Sequence, residues 1–132
     1  MATLSERDRA LLDRPVLAVL TTLHADGSPH TTPVWIDRDG NDLLVNTAAG
    51  RVKERNISRD PRVSVCVVDP SDPGAVVAVE GRVTQVSSAG ADAHIDHLAK
   101  KYTGSDTFGA HEVGRTRVIV RIRCDRVLRV VA

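Results

Sequence analysis

Val16-Leu-Ala-Val-Leu-Thr-Thr-Leu23, His24-Ala-Asp-Gly-Ser28 and Pro29-His-Thr-Thr-Pro-Val-Trp-Ile36 read as strand, turn and return strand. The first run is a continuous apolar and threonine stretch of strand length, and Gly27 stands where a tight turn needs positive φ. The pair is therefore a hairpin. Downstream, Asp37-Arg-Asp-Gly-Asn41 reads as a second turn into a strand over Asp42–Asn46, which completes a three-strand meander. Arg62–Val68 is a β-branched strand ended by Asp69-Pro-Ser-Asp-Pro-Gly74. Ala75–Ser87 is a longer strand with Val77, Val79 and Val83 on one face and Gly81 marking a bulge where it coils. The last strand alternates, with Val118, Val120, Ile122 and Cys124 on one face and Arg117, Arg121 and Arg123 on the other, Ile119 excepted. That arginine row is expected to face solvent or a dimer partner.

Six strands of period two with two or three short helices predict a mainly β protein, a small antiparallel barrel rather than a Rossmann sheet. Upstream of the hairpin, Ser5 and Asp8 form a capping-box variant ahead of Leu11-Leu12, and Arg14-Pro15 closes a short helix within residues 1–14. Residues 15–132 then make the barrel of a single domain. A further helix over Ala89–Thr103 repeats Ala91, Ile95, Leu98, Ala99 and Tyr102 at helical spacing as one buried stripe. His94 and His97 flank the stripe and read as surface histidines, with no third ligand near enough to suggest a metal. Gly104–Gly114 reads as a loop.

The chain has 132 residues and a formal charge of +1, which leaves no room for separate cofactor and substrate domains. The near-neutral balance argues against a nucleic-acid or membrane-surface protein. Trp35, Tyr102 and Phe108 are its only aromatic residues, too few for base-stacking platforms, so the core must come from Val, Leu, Ile and Ala. No apolar stretch approaches a membrane span and the N-terminal residues are charged rather than signal-like, so a cytoplasmic location is expected. Cys66 and Cys124 lie in apolar runs and read as buried free thiols. Dinucleotide fingerprints, Walker loops, nucleophile elbows and HExxH motifs are absent.

One stretch has placed charge: Asn46-Thr-Ala-Ala-Gly-Arg-Val-Lys-Glu-Arg-Asn-Ile-Ser-Arg-Asp-Pro61, with Arg62 beyond it. Leu43-Leu44-Val45 leads in as a strand, a helix opens at Gly50, and Pro61 ends it. The first turn of a helix carries unpartnered N–H groups and a partial positive charge, both of which favour a phosphate or carboxylate. From Arg51 to Arg62, five basic residues stand against Glu54 and Asp60. Arg51 and Arg55 share a face by their spacing, while Lys53 lies round the helix unless the backbone bends. The stretch reads either as an anion site or as a solvated helix face.

Taken together, Leu20–Trp35, Asn46–Arg62, Val68-Asp-Pro, Glu80-Gly-Arg-Val83, Ala91-Asp-Ala-His-Ile-Asp96 and Arg117-Val-Ile-Val-Arg121 resemble the pyridoxamine 5′-phosphate oxidase-like split β-barrel proteins. Within them, the pattern is most similar to the actinobacterial branch that binds the deazaflavin F420. The resemblance implies a six-stranded FMN-binding-type split barrel, paired into a homodimer with a flavin-type cofactor in a groove between protomers. It implies that Arg51 and Lys53 hold the cofactor phosphate with Asn56 as a helper, and that Asn46, Thr47 and Ala48 lie beside the ribityl chain. Thr32, Pro33, Val34 and Trp35 match the strand whose edge lies against the ring. The implied activity is F420H2-dependent reduction of a small unsaturated substrate. An FMN-binding oxidase and a non-catalytic F420- or flavin-binding protein are the alternatives. No residue stands out as a catalytic acid, with His30 the one candidate near the strand edge. The chain departs from its relatives at Pro73-Gly-Ala-Val-Val77 and Glu80, where an aromatic and an arginine are common, and at Thr107-Phe-Gly-Ala-His111, which lacks their proline and aromatic pattern. Both departures bear on the far side of the ring and the substrate mouth.

Overall fold

The computed structural model describes residues 2–109 and 115–128; the 110–114 end of the expected Gly104–Gly114 loop lies outside them. Among the described residues seven strands, β1 (Ala18–Leu23), β2 (Pro29–Val34), β3 (Asp37–Asp39), β4 (Asp42–Ala48), β5 (Arg62–Asp69), β6 (Asp72–Ser87) and β7 (Arg117–Leu128), form one sheet in the order β2-β1-β5-β6-β7-β4-β3. Every neighbouring pair is antiparallel. The sheet curls into a split barrel, with α1 (Glu6–Leu12), α2 (Val52–Arg59) and α3 (Ala91–Thr103) packed around it. No helix among the described residues is long and apolar enough to cross a membrane.

The count of seven corrects the six expected. The sequence pattern puts Asp37–Asp39 in a turn, but it pairs with β4 through Asp37↔Leu44, Arg38↔Leu43 and Asp39↔Asp42. The turn shrinks to Gly40-Asn41, with Gly40 at φ 61°, the positive value a two-residue hairpin loop demands. Three consecutive charged residues carry no hydrophobic period, so only the pairing with β4 makes this edge strand visible.

Alternation puts Leu20, Val34, Val45, Val63, Val65, Val67, Val77, Val79, Val118, Val120, Ile122 and Cys124 into one aliphatic core. Burial pushes the Cys124 thiol up to about 11. Cys66, by contrast, lies on the outer face of β5 and is only half-buried, because its neighbours Val65 and Val67 take the inward positions. The N-terminal helix is capped as expected: the Asp8 N–H donates to Ser5 Oγ at 3.1 Å and the Ser5 N–H donates to Asp8 Oδ2 at 2.9 Å. Leu11 and Leu12 then reach the core from α1.

β6 is the longest strand at 16 residues, pairing with β5 over its first part and with β7 over most of its length. Its register on β7 shifts at Glu80/Gly81 and again at Val83/Gln85, and each shift adds twist. At the first shift a Cβ on Gly81 would lie 2.3 Å from the Arg123 carbonyl oxygen. Gly81→Ala is therefore expected to destabilise the protein by about 1–3 kcal/mol, read as a lower midpoint in urea unfolding. At the β5–β6 turn, Arg14 Nη1 donates to Asp69 Oδ2 at 2.6 Å, and the Ser71 N–H and Oγ–H both donate to Asp69 Oδ1. Arg14 and then Ser71 hold the Asp69 carboxyl down to about 2, against an ordinary 3.8. A carboxylate with a lowered folded pKa contributes stability that is fully present above the ordinary value and lost as pH falls through the lowered one. Arg14→Ala should move the acid-unfolding transition to higher pH, followed by circular dichroism between pH 5 and 1.5 (about the span of the two values).

Candidate functional site

A cleft of about 380 Å³ opens where the two ends of the sheet meet, within the size range of small-molecule sites. Pro33, Val34 and Trp35 come to it from the end of β2, Asn46 and Thr47 from β4, and Arg117 from the start of β7. Arg51 and Lys53 enter from the α2 N-terminus, and Leu17, Ile95, Leu98 and Phe108 supply apolar wall. No carboxylate or imidazole lines it among the described residues.

The turn that delivers the cations is built locally. Gly50 adopts φ 90°, which a side chain would resist. Arg51, in extended conformation at the N-cap, starts α2 without a side-chain cap. The Gly50 N–H donates to Glu54 Oε2 at 3.3 Å and the Ala49 N–H to the Thr116 carbonyl at 2.8 Å, which ties the turn to the start of β7. Lys53 is half-buried beside two guanidiniums. Burial first, then the charges of Arg51 and Arg117, hold its amine below the usual lysine value. A cation held against burial and two like charges is a standing attraction for an anion.

Seven of the ten residues singled out from sequence, Pro33, Val34, Trp35, Asn46, Thr47, Arg51 and Lys53, share this cleft. Thr32, Ala48 and Asn56 do not line it. Ala48 is fully buried at the end of β4. Asn56 Nδ2 donates to Thr22 Oγ1 at 3.0 Å and Asn56 Oδ1 accepts from Arg59 at 2.9 Å, so this side chain clamps α2 to β1. The Thr32 hydroxyl and His30 Nδ1 are both buried without a hydrogen-bond partner among the described residues. His30 packs edge-on to His24 at 5.2 Å between centroids, away from the cleft lining.

Sequence reading missed three contributors. Arg117 was placed in an outward arginine row, yet its Nε donates to Asn46 Oδ1 at 2.8 Å and its guanidinium lies 5.3 Å from the Phe108 centroid. Its position at the strand end, one residue before the alternating run, was the available signal. Phe108 does lie in the expected loop, where no periodicity marks it for the cleft. His94 was read as a surface histidine; the structure corrects this, because its side chain is only 10% exposed and both ring nitrogens are engaged, Nδ1 with Asn46 Nδ2 at 3.1 Å and Nε2 with Asp37 Oδ2 at 2.9 Å. It adjoins Ile95 and lies three residues from Ala91, at the margin of the buried stripe. His97 is exposed.

The aromatic residues converge here as well. Trp35 stacks on Tyr102 at 5.2 Å with 6° between planes, and Phe108 meets Trp35 edge-on at 6.0 Å. The Tyr102 hydroxyl donates to the Val16 carbonyl and accepts the Ile36 N–H, while Lys101 donates to the Leu12 and Ile36 carbonyls. These bonds fix α3 against the segment that carries Trp35.

The profile of the family described as pyridoxamine 5′-phosphate oxidase matches residues 4–130. The chain belongs to the pyridoxamine 5′-phosphate oxidase family. This is a family of oxidoreductases that bind flavin-type cofactors. Among solved structures, a protein described as an F420 reductase is 28% identical, with 92% of this chain and 95% of that one covered at a TM-score of 0.81. A conserved hypothetical protein of Mycobacterium tuberculosis is 24% identical, with 95% and 83% covered at 0.70. General Stress Protein 26 of Bacillus anthracis is 19% identical, with 95% and 97% covered at 0.67. The last two show the split-barrel fold of the pyridoxamine 5′-phosphate oxidase family and nothing about ligand.

The donor set fits a phosphate-bearing cofactor of this family: a half-buried lysine between two guanidiniums is what a phosphate would neutralise, and Trp35 and Phe108 border space for a flat ring. Because the lysine's folded value is lowered, its charge penalises the fold below that value, and the penalty fades as pH rises through it toward 10.5. Lys53→Met should raise the Tm of the ligand-free protein by about 2–4 °C at neutral pH, with the gain shrinking in scans run at progressively alkaline pH.

Proposed function

We propose that the protein is an F420H2-dependent reductase of a small, planar, unsaturated substrate, working as a homodimer. The convergence of Arg51, Lys53 and Arg117 on a cleft bordered by Trp35 and Phe108 carries the reading, and the 28% identity to a protein described as an F420 reductase supports the choice of cofactor.

In this reading Arg51, Lys53 and Arg117 hold the phosphate through charge-assisted bonds. Asn46 and Thr47 lie beside the linking chain, and the β2 end from Pro33 to Trp35 meets the ring. When bound, the reduced deazaflavin supplies a hydride as a two-electron donor. The protein's part is to orient the ring against the acceptor and exclude water, which an aliphatic and aromatic lining does without a dedicated acid or base. Solvent supplies the proton. Ala48 and Asn56 act at one remove, by fixing the strand end and α2.

The dimer reading has its own support on the outer face of the sheet. Val19, Cys66, Ala78 and Leu128 lie side by side across β1, β5, β6 and β7 by register, with Val68 and Leu17 exposed nearby. A second cleft of about 550 Å³ adjoins this row, lined by Thr21, Ser64, Glu80, Arg62, Arg82 and Arg126 among others. An apolar strip bordered by both signs of charge suits a self-complementary contact.

Titration with F420 and, separately, FMN tests the cofactor. Micromolar or tighter F420 binding with weak FMN binding is expected; the reverse preference would make the protein an FMN-dependent oxidase, and no binding of either would end the cofactor reading. Arg51→Ala with Lys53→Ala should weaken F420 binding by more than about 2 kcal/mol, roughly thirtyfold. Light scattering should give twice the 14.2 kDa chain mass.

A further inference from the structure

We propose that His94 is a positioning residue: backed by Asp37, it holds the Asn46 carboxamide in the orientation that fixes the Arg117 guanidinium in the cleft, a role that rests on reading the cleft as an anion site. His94 does not line the cleft. It acts through a chain of donors and acceptors that crosses α3, β3, β4 and β7.

The direction of the chain follows from the chemistry of each atom. Arg117 Nε can only donate, so the atom it meets at 2.8 Å is the Asn46 oxygen. The Asn46 nitrogen then faces the Ala91 carbonyl at 2.9 Å and His94 Nδ1 at 3.1 Å. An amide nitrogen accepts nothing, so Nδ1 presents its lone pair and the ring proton sits on Nε2. That nitrogen lies 2.9 Å from Asp37 Oδ2. Burial raises the Asp37 carboxyl, but the His94 hydrogen bond and the Arg38 N–H outweigh it and keep it below the ordinary Asp value, hence ionised. Along this chain each donor named meets an acceptor.

Either single change to this arrangement is worse. Turning the Asn46 amide over would set its N–H2 against Arg117 Nε–H and its oxygen against the Ala91 carbonyl. Moving the proton to His94 Nδ1 would set donor against donor at Asn46 and leave the Asp37 carboxylate facing a lone pair. With the imidazole nine-tenths buried, water is poorly placed to repair either fault. One tautomer at His94 therefore selects one amide orientation at Asn46, and that orientation holds Arg117 where its charge reaches Lys53.

The test uses the full chain. Nitrogen-15 spectra of the unliganded protein should show His94 as the neutral Nε2–H tautomer and the Arg117 Nε–H as a hydrogen-bonded, slowly exchanging resonance. His94→Phe, which keeps a ring and loses both nitrogens, should return that resonance to the position of a free guanidinium. His94→Gln, which still offers an oxygen and an N–H, should largely keep it. F420 affinity should fall about tenfold in His94→Phe, and little further when His94→Phe is added to Arg117→Met. An Nδ1–H tautomer, an Arg117 resonance indifferent to His94→Phe, or an equal affinity loss in both backgrounds would overturn the proposal. Should Arg117→Met leave F420 and FMN affinity untouched while the Arg117 resonance still follows His94, the anion reading of the cleft fails and the positioning chain stands. If His94→Phe does not fold, the wild-type tautomer and the His94→Gln spectrum decide.

Discussion

At Gly81 the backbone of β6 comes so near the Arg123 carbonyl that no Cβ fits between them, and register shifts at Glu80/Gly81 and Val83/Gln85 bend the longest strand of the sheet. The cleft depends on that bend. In the sheet order β2-β1-β5-β6-β7-β4-β3, the strand that brings Trp35 and the strand that brings Asn46 are separated by four others. In a flat sheet, strands that far apart lie roughly 20 Å or more from each other. Curling at β6 closes the distance and turns two remote strand ends into the walls of one site. The strand alternation that fills the core, with Val77 and Val79 inward on β6 and Val120 and Ile122 inward on β7, is what makes the curled form the stable one.

Once the walls meet, the chemistry of the site is a matter of unfavourable charge. Placing Lys53 half-buried beside Arg51 and Arg117 disfavours its protonated form, a cost that an anion in the cleft would offset. These cations are held in place elsewhere in the structure by matched hydrogen bonds. Asn56 ties α2 to β1, the Ala49 N–H ties the turn to Thr116, and Asn46 spans between Arg117 and α3. Repulsive groups held by satisfied ones are preorganised: an anion entering this cleft would relieve charge without having to order the residues it meets.

Strand alternation and turn chemistry made the antiparallel sheet, the capped N-terminal helix and the stripe of α3 legible in sequence, because each is written in local periodicity. Asp37–Asp39 was not legible, since a charged triplet becomes a strand only when β4 pairs with it. The basic stretch identified Arg51 and Lys53, but Arg117 comes from a strand 64 residues after Lys53 in the chain and reaches them only through the register of β7 on β4. His94 illustrates the limit most directly. Helical spacing set it beside the buried stripe, and nothing local announces that Asp37 and Asn46 will arrive there from two other strands.

The chain's three aromatic residues answer a question that composition alone left open. A small barrel closes on Val, Ile and Leu without them, so none is needed as core filler, and all three are gathered at the cleft instead. Their placement is set by polar bonds. Tyr102 and Lys101 between them engage the backbone at Leu12, Val16 and Ile36, so the plane on which Trp35 stacks is fixed relative to the end of β2. Large flat side chains lose little freedom when held in this way and give a ligand ring a surface that keeps its shape. An aliphatic wall of equal area would exclude water as well but would offer no defined plane. The scarcity of aromatic residues, which argues against a stacking protein for nucleic acid, is thus compatible with one well-oriented ring site.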